Sequence, residues 1–260
     1  MDIGRRTLQA GDIASNAFQA WFANFTQVFI VSLMFTVPIF IVDAAVQTSL
    51  PDVDDDLTNI DLGDALVTSL VGGFVAVLVG TILSAALVFT FIRVYRNQSV
   101  IPGEILSAVL DHIGPILVFA IITAIAIAIG FILLIIPGIL AIVVFSLGLP
   151  AIFNERRGGG DAVSRCFALI SGNWGVALGV VAIGFVITIV GSLVLGGISG
   201  PGALTSPTFS DFSVIRTIIQ IGASALLAPL IPALATALYF ELKGRVDGFP
   251  SIEEPGPVSM

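Results

Sequence analysis

From Pro115 to Phe153 the chain carries no charged residue and no histidine. Such a stretch is longer than the roughly 20 apolar residues that cross a bilayer once. Inside it stands Pro137-Gly138, a dipeptide that breaks helices and makes tight turns. Together these features predict two membrane crossings in succession, at 115–136 and 139–153. The second would reach only about 22 Å at about 1.5 Å per residue, short of a hydrocarbon core of about 30 Å. It would then sit recessed, or the bilayer would thin around it. Composition agrees with a lipid environment: 57% of residues are hydrophobic and 11% charged, against about 25% charged in a soluble domain. Lipid restricts spanning structure to helices or closed barrels. The apolar runs are continuous and not alternating, which selects helices.

The fold class expected is therefore all-α and integral to the membrane. One domain over 1–248 holds six transmembrane helices, at about 26–46, 65–92, 115–136, 139–153, 174–196 and 214–240. Pro38 should kink the first, and Pro229 and Pro232 should bend the sixth. Residues 249–260 are acidic and rich in Pro and Gly and read as a disordered tail. No cleavable signal peptide is expected, because the first apolar run begins only near Phe25; Val42-Asp43-Ala44 is the one stretch with the form of a cleavage site.

Three shorter segments have apolar residues at i, i+3, i+4, i+7. They are Phe18, Trp21, Phe22 and Phe25; Leu106, Val109, Leu110 and Ile113; and Val163, Cys166, Phe167 and Ile170. Asp12 is placed to cap the first, Glu104 to start the second after Pro102-Gly103, and Asp161 to cap the third. This spacing predicts amphipathic helices lying in the membrane interface. Each precedes a pair of spans, so the chain reads as three units of interfacial helix, span out and span back. Repeats of the same topology imply an axis along the membrane normal.

With the N-terminus in the cytoplasm, Arg5, Arg6, Arg93, Arg96, Arg156, Arg157, Arg165, Lys243 and Arg245 all fall inside. Of the ten basic residues only Arg216 falls outside. That asymmetry orients the protein in a cell inner membrane with both termini cytoplasmic. The sequons Asn24-Phe25-Thr26 and Asn97-Gln98-Ser99 then fall on the inner face, where they are not glycosylated.

Few residues invite chemistry. The segment 49–64 holds Asp52, Asp54, Asp55, Asp56, Asp61 and Asp64. As a calcium loop counted from Asp52 it fails, with Leu57 in place of the turn glycine and Gly63 in place of the bidentate glutamate. A solvated acidic loop is the better reading. Gly158–Gly160 is a flexible link and no phosphate loop, since no Gly-Lys-Ser/Thr follows. Gly72, Ala76, Gly80 and Ser84 recur every four residues, a spacing that lets helices approach in lipid more often than it lines a pore. The only cysteine, Cys166, excludes an intrachain disulfide and reads as a small apolar contact, although Arg165 beside it could lower a thiol pKa. The only histidine, His112, reads as an interfacial side chain. No catalytic residue, cofactor or metal site is indicated.

Several residues resemble a known pattern. They are Ile136-Pro137-Gly138, Pro150-Ala151-Ile152 with Glu155, the helix from Asp161, Gly172-Asn173-Trp174, and Leu238-Tyr239-Phe240-Glu241-Leu242-Lys243 with Gly248. This layout resembles the bacterial membrane domain sometimes fused to glycerophosphodiester phosphodiesterases, a family that also includes stand-alone six-helix proteins. The resemblance implies an architecture and a bacterial origin. It implies no catalysis, because that chemistry needs two histidines and a metal-binding carboxylate set in a soluble barrel, and this chain has one histidine.

Three functions can be set against each other. A non-catalytic membrane module would hold lipid or a partner, either another membrane protein or a second copy, with Arg93, Arg96, Arg156, Arg157 and Arg165 as contacts for anionic headgroups. The same arginines serve equally as topology determinants. A transporter of lipid or small solutes would use the repeat and the proline breaks, against the absence of an ionisable residue at any span midplane. An inner-face enzyme would need His112, Asp111, Glu155 and Arg165 to converge. Nothing in the sequence suggests nucleic acid as a partner.

Overall fold

The computed structural model of the protein describes residues 8–49, 62–199 and 211–248. Residues 50–61 of the acidic loop expected over 49–64, Arg5, Arg6, the tail 249–260, the surroundings of Gly72 and the side chains of Asp43, Ala76 and Arg216 lie outside what it describes; at the loop's ends Ser49 closes α2 and 62–64 open α3. Every regular element described is an α-helix: α1 Ala10–Ala23, α2 Phe25–Ser49, α3 Leu62–Tyr95, α4 Pro102–Asp111, α5 Ile113–Leu133, α6 Ile135–Phe145, α7 Gly148–Glu155, α8 Gly159–Ile170, α9 Trp174–Ser199, α10 Asp211–Leu227 and α11 Leu230–Asp247. Five stretches are long and apolar enough to cross a membrane: Val77–Tyr95, Ile113–Leu133, Ile136–Glu155, Trp174–Leu193 and Thr217–Asp247. A sixth is reached if α1 and α2, which meet at 86°, are counted as one. The chain is a multi-pass membrane protein. Its outer faces fit that solvent: Ile121, Ile125, Ile129 and Ile132 of α5 and Phe185, Val186, Val190 and Leu193 of α9 are exposed.

Proline places the breaks, though not where the sequence suggests. Leu134, not Pro137-Gly138, makes the turn between α5 and α6, with extended backbone at φ −170° and ψ 152°. Pro137 then falls in the first turn of α6, where its missing N–H costs nothing. Gly138 packs where a side chain would collide: a Cβ at Gly130 would stand 2.8 Å from the Gly138 Cα. The fourth crossing is correspondingly not a short 139–153 span. It is a 20-residue stretch, Ile136–Glu155, divided into α6 and α7. Pro150 cannot donate to the Ser146 carbonyl, and α6 ends at Phe145. Pro232 likewise cannot donate to Ala228, and the break between α10 and α11 falls there, as expected of the sixth span. The helix α2 continues through Pro38.

The three short helices form, but their buried faces differ from the expected tetrads. Ile13, Ala17, Ala20 and Trp21 are buried in α1. Ala162, Cys166, Leu169 and Ile170 are buried in α8 at the same i, i+4, i+7, i+8 spacing. In α4 the buried pair is Ile105 and Val109. Trp21 is thus a core residue and not an interfacial anchor. One large apolar residue of each expected tetrad lies beside the buried stripe and stays exposed: Phe22 at 66%, Leu110 at 57% and Phe167 at 53%. A recurring dipeptide marks these helices more sharply than the tetrads do. Gly11-Asp12, Gly103-Glu104 and Gly160-Asp161 each fall at the second and third helical positions. Asp12 is therefore not the cap; its carboxylate accepts the N–H of the cap residue Gln9 at 2.9 Å. An acid there also faces the positive end of the helix dipole.

Packing runs in a cycle. Helix α1 lies on α9 and α11, α8 lies on α5 and α7, and α4 lies on α3 and α2. The returning helices α3, α7 and α11 touch one another pairwise. Around them α3 packs on α5, α6 on α9 and α10 on α2.

Candidate functional site

At the end of the bundle where α3, α7 and α11 finish, the short helices bring their charges together. Glu155, the last residue of α7, is the hub. Its Oε1 accepts the Tyr239 hydroxyl of α11 at 2.7 Å and the Arg165 Nε–H of α8 at 2.9 Å, with Lys243 Nζ at 3.5 Å. Its Oε2 accepts from Arg157 Nε at 2.6 Å. Arg165 also pairs with Asp247. Asn154 donates to the Tyr239 hydroxyl at 2.9 Å and accepts from Arg96, which ties in the end of α3. Glu155 and Arg165 are only 11% and 12% exposed. Burial by itself pulls the Arg165 guanidinium toward deprotonation; its hydrogen bonds to Asp247 and Glu155 outweigh that and hold it above its ordinary value.

A second network closes over the first helix. Arg245 donates to Glu241 at 2.8 Å, to Asn173 at 3.3 Å and to the Leu8 carbonyl at 2.6 Å. The Leu8 N–H donates in turn to Glu241 Oε1 at 3.3 Å. The residues that carry the family resemblance thus meet in space: Glu155 with Tyr239 and Lys243, and Asn173 with Glu241 through Arg245. Their shared role here is to pin α7, α8, α9 and α11 to one another, which their scatter along the sequence conceals.

The arginines expected at lipid headgroups are mostly engaged within the protein. Arg93 pairs with Glu104 of α4 and stands over the Phe89 ring at 6.0 Å. Arg96, Arg157 and Arg165 have the partners given above. Arg96 and Arg156 are the exposed two of the five, and Arg96 is engaged with Asn154; Arg156 ends α7 in the left-handed conformation at φ 51°. His112 does not join Glu155 and Arg165. Its Nδ1 lies 2.9 Å from the Ala108 carbonyl oxygen and its ring packs on Phe153 at 5.3 Å. Asp111 is exposed beside it. Among the described residues no group of three His, Cys, Asp or Glu side chains is placed to hold a metal ion.

Cys166 is fully buried in α8, and burial pushes its thiol up to about 12. The neighbouring Arg165 does not activate it, because that guanidinium is turned to Glu155 and Asp247. A thiol with a raised pKa holds less thiolate at any neutral or mildly alkaline pH. The expected result is negligible maleimide labelling of the folded protein at pH 8 and complete labelling once it is unfolded in SDS, read by mass shift.

Further into the bundle is an apolar cavity of about 440 Å³. Its walls come from Gly80, Ser84 and Val88 of α3, Phe119, Thr123 and Ile127 of α5, Ile142 and Ser146 at the α6 end, and Ile231 and Ala235 of α11. Gly80 and Ser84, expected to serve close helix packing, here leave space: a Cβ on Gly80 would meet nothing within 4 Å. A smaller cavity of about 160 Å³ lies between α6, α9 and α11 and shares the walls Ile142, Ser146, Ile231 and Ala235. Comparison of the chain with family models, with characterised proteins and with solved structures finds no match.

Proposed function

We propose that this protein is a non-catalytic module of the cell inner membrane that holds lipid or a partner protein against its basic end. It crosses the bilayer six times with both termini in the cytoplasm. The observation that carries this reading is the arrangement of α1, α4 and α8. Each is buried on one side by a hairpin of spans and bears large exposed apolar residues beside that face: Phe22, Leu106 with Leu110, and Phe167. Helices of this kind lie in the interface with those side chains among the acyl chains. The described basic side chains stand at the same end, where anionic headgroups attract each by about 1 kcal/mol. With its neighbours paired internally, Arg156 is the arginine best placed to meet a headgroup.

The threefold repeat belongs to this proposal. It is supported by the Gly-acid dipeptides, by the shared buried spacing and by the cyclic packing of α1, α4 and α8. Kinship with the membrane domain of glycerophosphodiester phosphodiesterases is likewise proposed, supported by the pairing of Glu155 with Tyr239 and of Asn173 with Glu241 through Arg245.

The test is a photo-crosslinking residue placed at Phe22, Leu110 or Phe167 in native membranes. Adducts with lipid or with a membrane protein are expected at all three positions, and none at the buried Ile105. Equal reaction at Ile105 and Leu110, or no adduct at any position, rejects the reading. Transport is the second reading, favoured by the breaks at α6/α7 and α10/α11 beside a cavity. A solute flux into proteoliposomes that needs the intact chain would select it.

A further inference from the structure

We propose that the 440 Å³ cavity is a binding site for one acyl chain of a membrane phospholipid. Its lining residues all fall in four of the membrane-crossing stretches, Val77–Tyr95, Ile113–Leu133, Ile136–Glu155 and Thr217–Asp247, so it lies at hydrocarbon depth. The walls are overwhelmingly aliphatic and aromatic, and an apolar cavity does not hold water stably. Its volume is in the range of ordinary ligand sites, about 300–1,000 Å³. The space opens to the outside of the bundle at Val77 and Thr81, and its apolar walls there lack the dispersion contacts that an alkyl chain would supply. In a bilayer the medium that reaches such a space is alkyl chain.

The polar groups on the wall agree with a chain and not a headgroup. Thr81 and Ser146 spend their hydroxyls on the carbonyls of their own helices, Val77 and Val143. Thr123 Oγ1 is buried with no hydrogen-bond partner among the described residues. The site also recurs in form. Phe119, Ala120, Thr123 and Ile127 line the large cavity from α5 at i, i+1, i+4, i+8. Val180, Val181, Gly184 and Thr188 line the small one from α9 at the same spacing. The small cavity sits between an outgoing helix and the returning helices of two units, the large one between an outgoing helix and the returning helices of all three. What enlarges the first is α3, where Gly80 leaves its side of the space unfilled.

This inference rests on the lipid-holding function proposed above and specifies where and by which part the lipid is held. Full-length protein in nanodiscs of phosphatidylglycerol is released inside a native mass spectrometer at an energy that strips annular lipid. One phospholipid is expected to remain on the wild type and none on Gly80→Phe, whose ring fills the cavity. Ser84→Leu fills it partly and should cut retention at least twofold, which serves if Gly80→Phe does not fold. Thr123→Val should retain the lipid at least as well, because a methyl replaces a hydroxyl facing a chain. Nanodiscs of phosphatidylethanolamine should give the same retention. Retention that is unchanged by both filling variants overturns the proposal, as does loss on Thr123→Val. Dependence on the anionic headgroup would locate the lipid at the basic end, which leaves the proposed function standing and removes the cavity site. Crosslinks at Phe22, Leu110 and Phe167 with no retained lipid would do the same.

Discussion

Glu155→Ala is expected to lower the unfolding free energy by about 3–5 kcal/mol, the cost of stripping one partner from a buried ion pair. The substitution leaves Arg165, already desolvated at 12% exposure, with Asp247 alone, and it takes from the Tyr239 hydroxyl its acceptor and from Lys243 one carboxylate. Because the hub joins α7, α8 and α11, its loss should loosen all three together. Tyr239→Phe removes one hydrogen bond to the same carboxylate and one from Asn154, and should cost only about 1–3 kcal/mol. Combined with Arg165→Ala, Glu155→Ala should cost less than the two changes added, since they share one interaction. Reversible unfolding in mixed detergent micelles measures all of these. A Glu155→Ala cost no larger than that of Tyr239→Phe would show that the hub is a surface cluster without structural weight.

Gly159→Val should be nearly as damaging, by about 3 kcal/mol or more of overpacking. A Cβ there would stand 2.6 Å from the Pro115 carbonyl oxygen and 2.8 Å from the Phe119 nitrogen. Both are backbone atoms of α5 that cannot turn aside as a side chain can, so α8 would have to lift from α5. The adjacent Gly160 provides the comparison, because a Cβ there meets nothing within 4 Å. Gly160→Ala should raise stability by up to about 1 kcal/mol through helix propensity alone. Thermal unfolding midpoints of the two variants should therefore move in opposite directions. Midpoints that fall together would mean that α8 does not seat on α5 through Gly159.

The two glycines show where reading the chain as a string reaches its end. A run of three glycines after Arg157 looks like a flexible link, yet two of them form the first turn of α8 and one is a contact point between helices. Nothing in the local sequence marks Gly159 as a contact point; only the approach of Pro115 does. The same holds for the amphipathic faces. Periodicity finds the helices, but an apolar side chain is at home both against protein and against lipid, so hydrophobicity cannot say which side of the stripe is which. Trp21 therefore turned inward while Phe22 and Phe167 stayed out. The Gly-acid dipeptides were legible all along, since they report the chemistry of a helix start and not the partner of its face.

The sequence by itself determined the solvent, the helical class and the approximate crossings. Long uncharged runs can satisfy their backbone in lipid only by forming helices, whatever surrounds them. It also determined that proline would interrupt the last span, because a missing N–H acts locally, although α2 runs on through Pro38. Tertiary structure alone decided which side chains meet. Glu155 finds Tyr239 and Lys243 from the far end of the chain, and Arg245 reaches back to Leu8. It alone decided that Gly80 and Ser84 on α3 would line a cavity. Those outcomes depend on which helices the packing brings together, and no residue encodes its distant partner in its own local pattern.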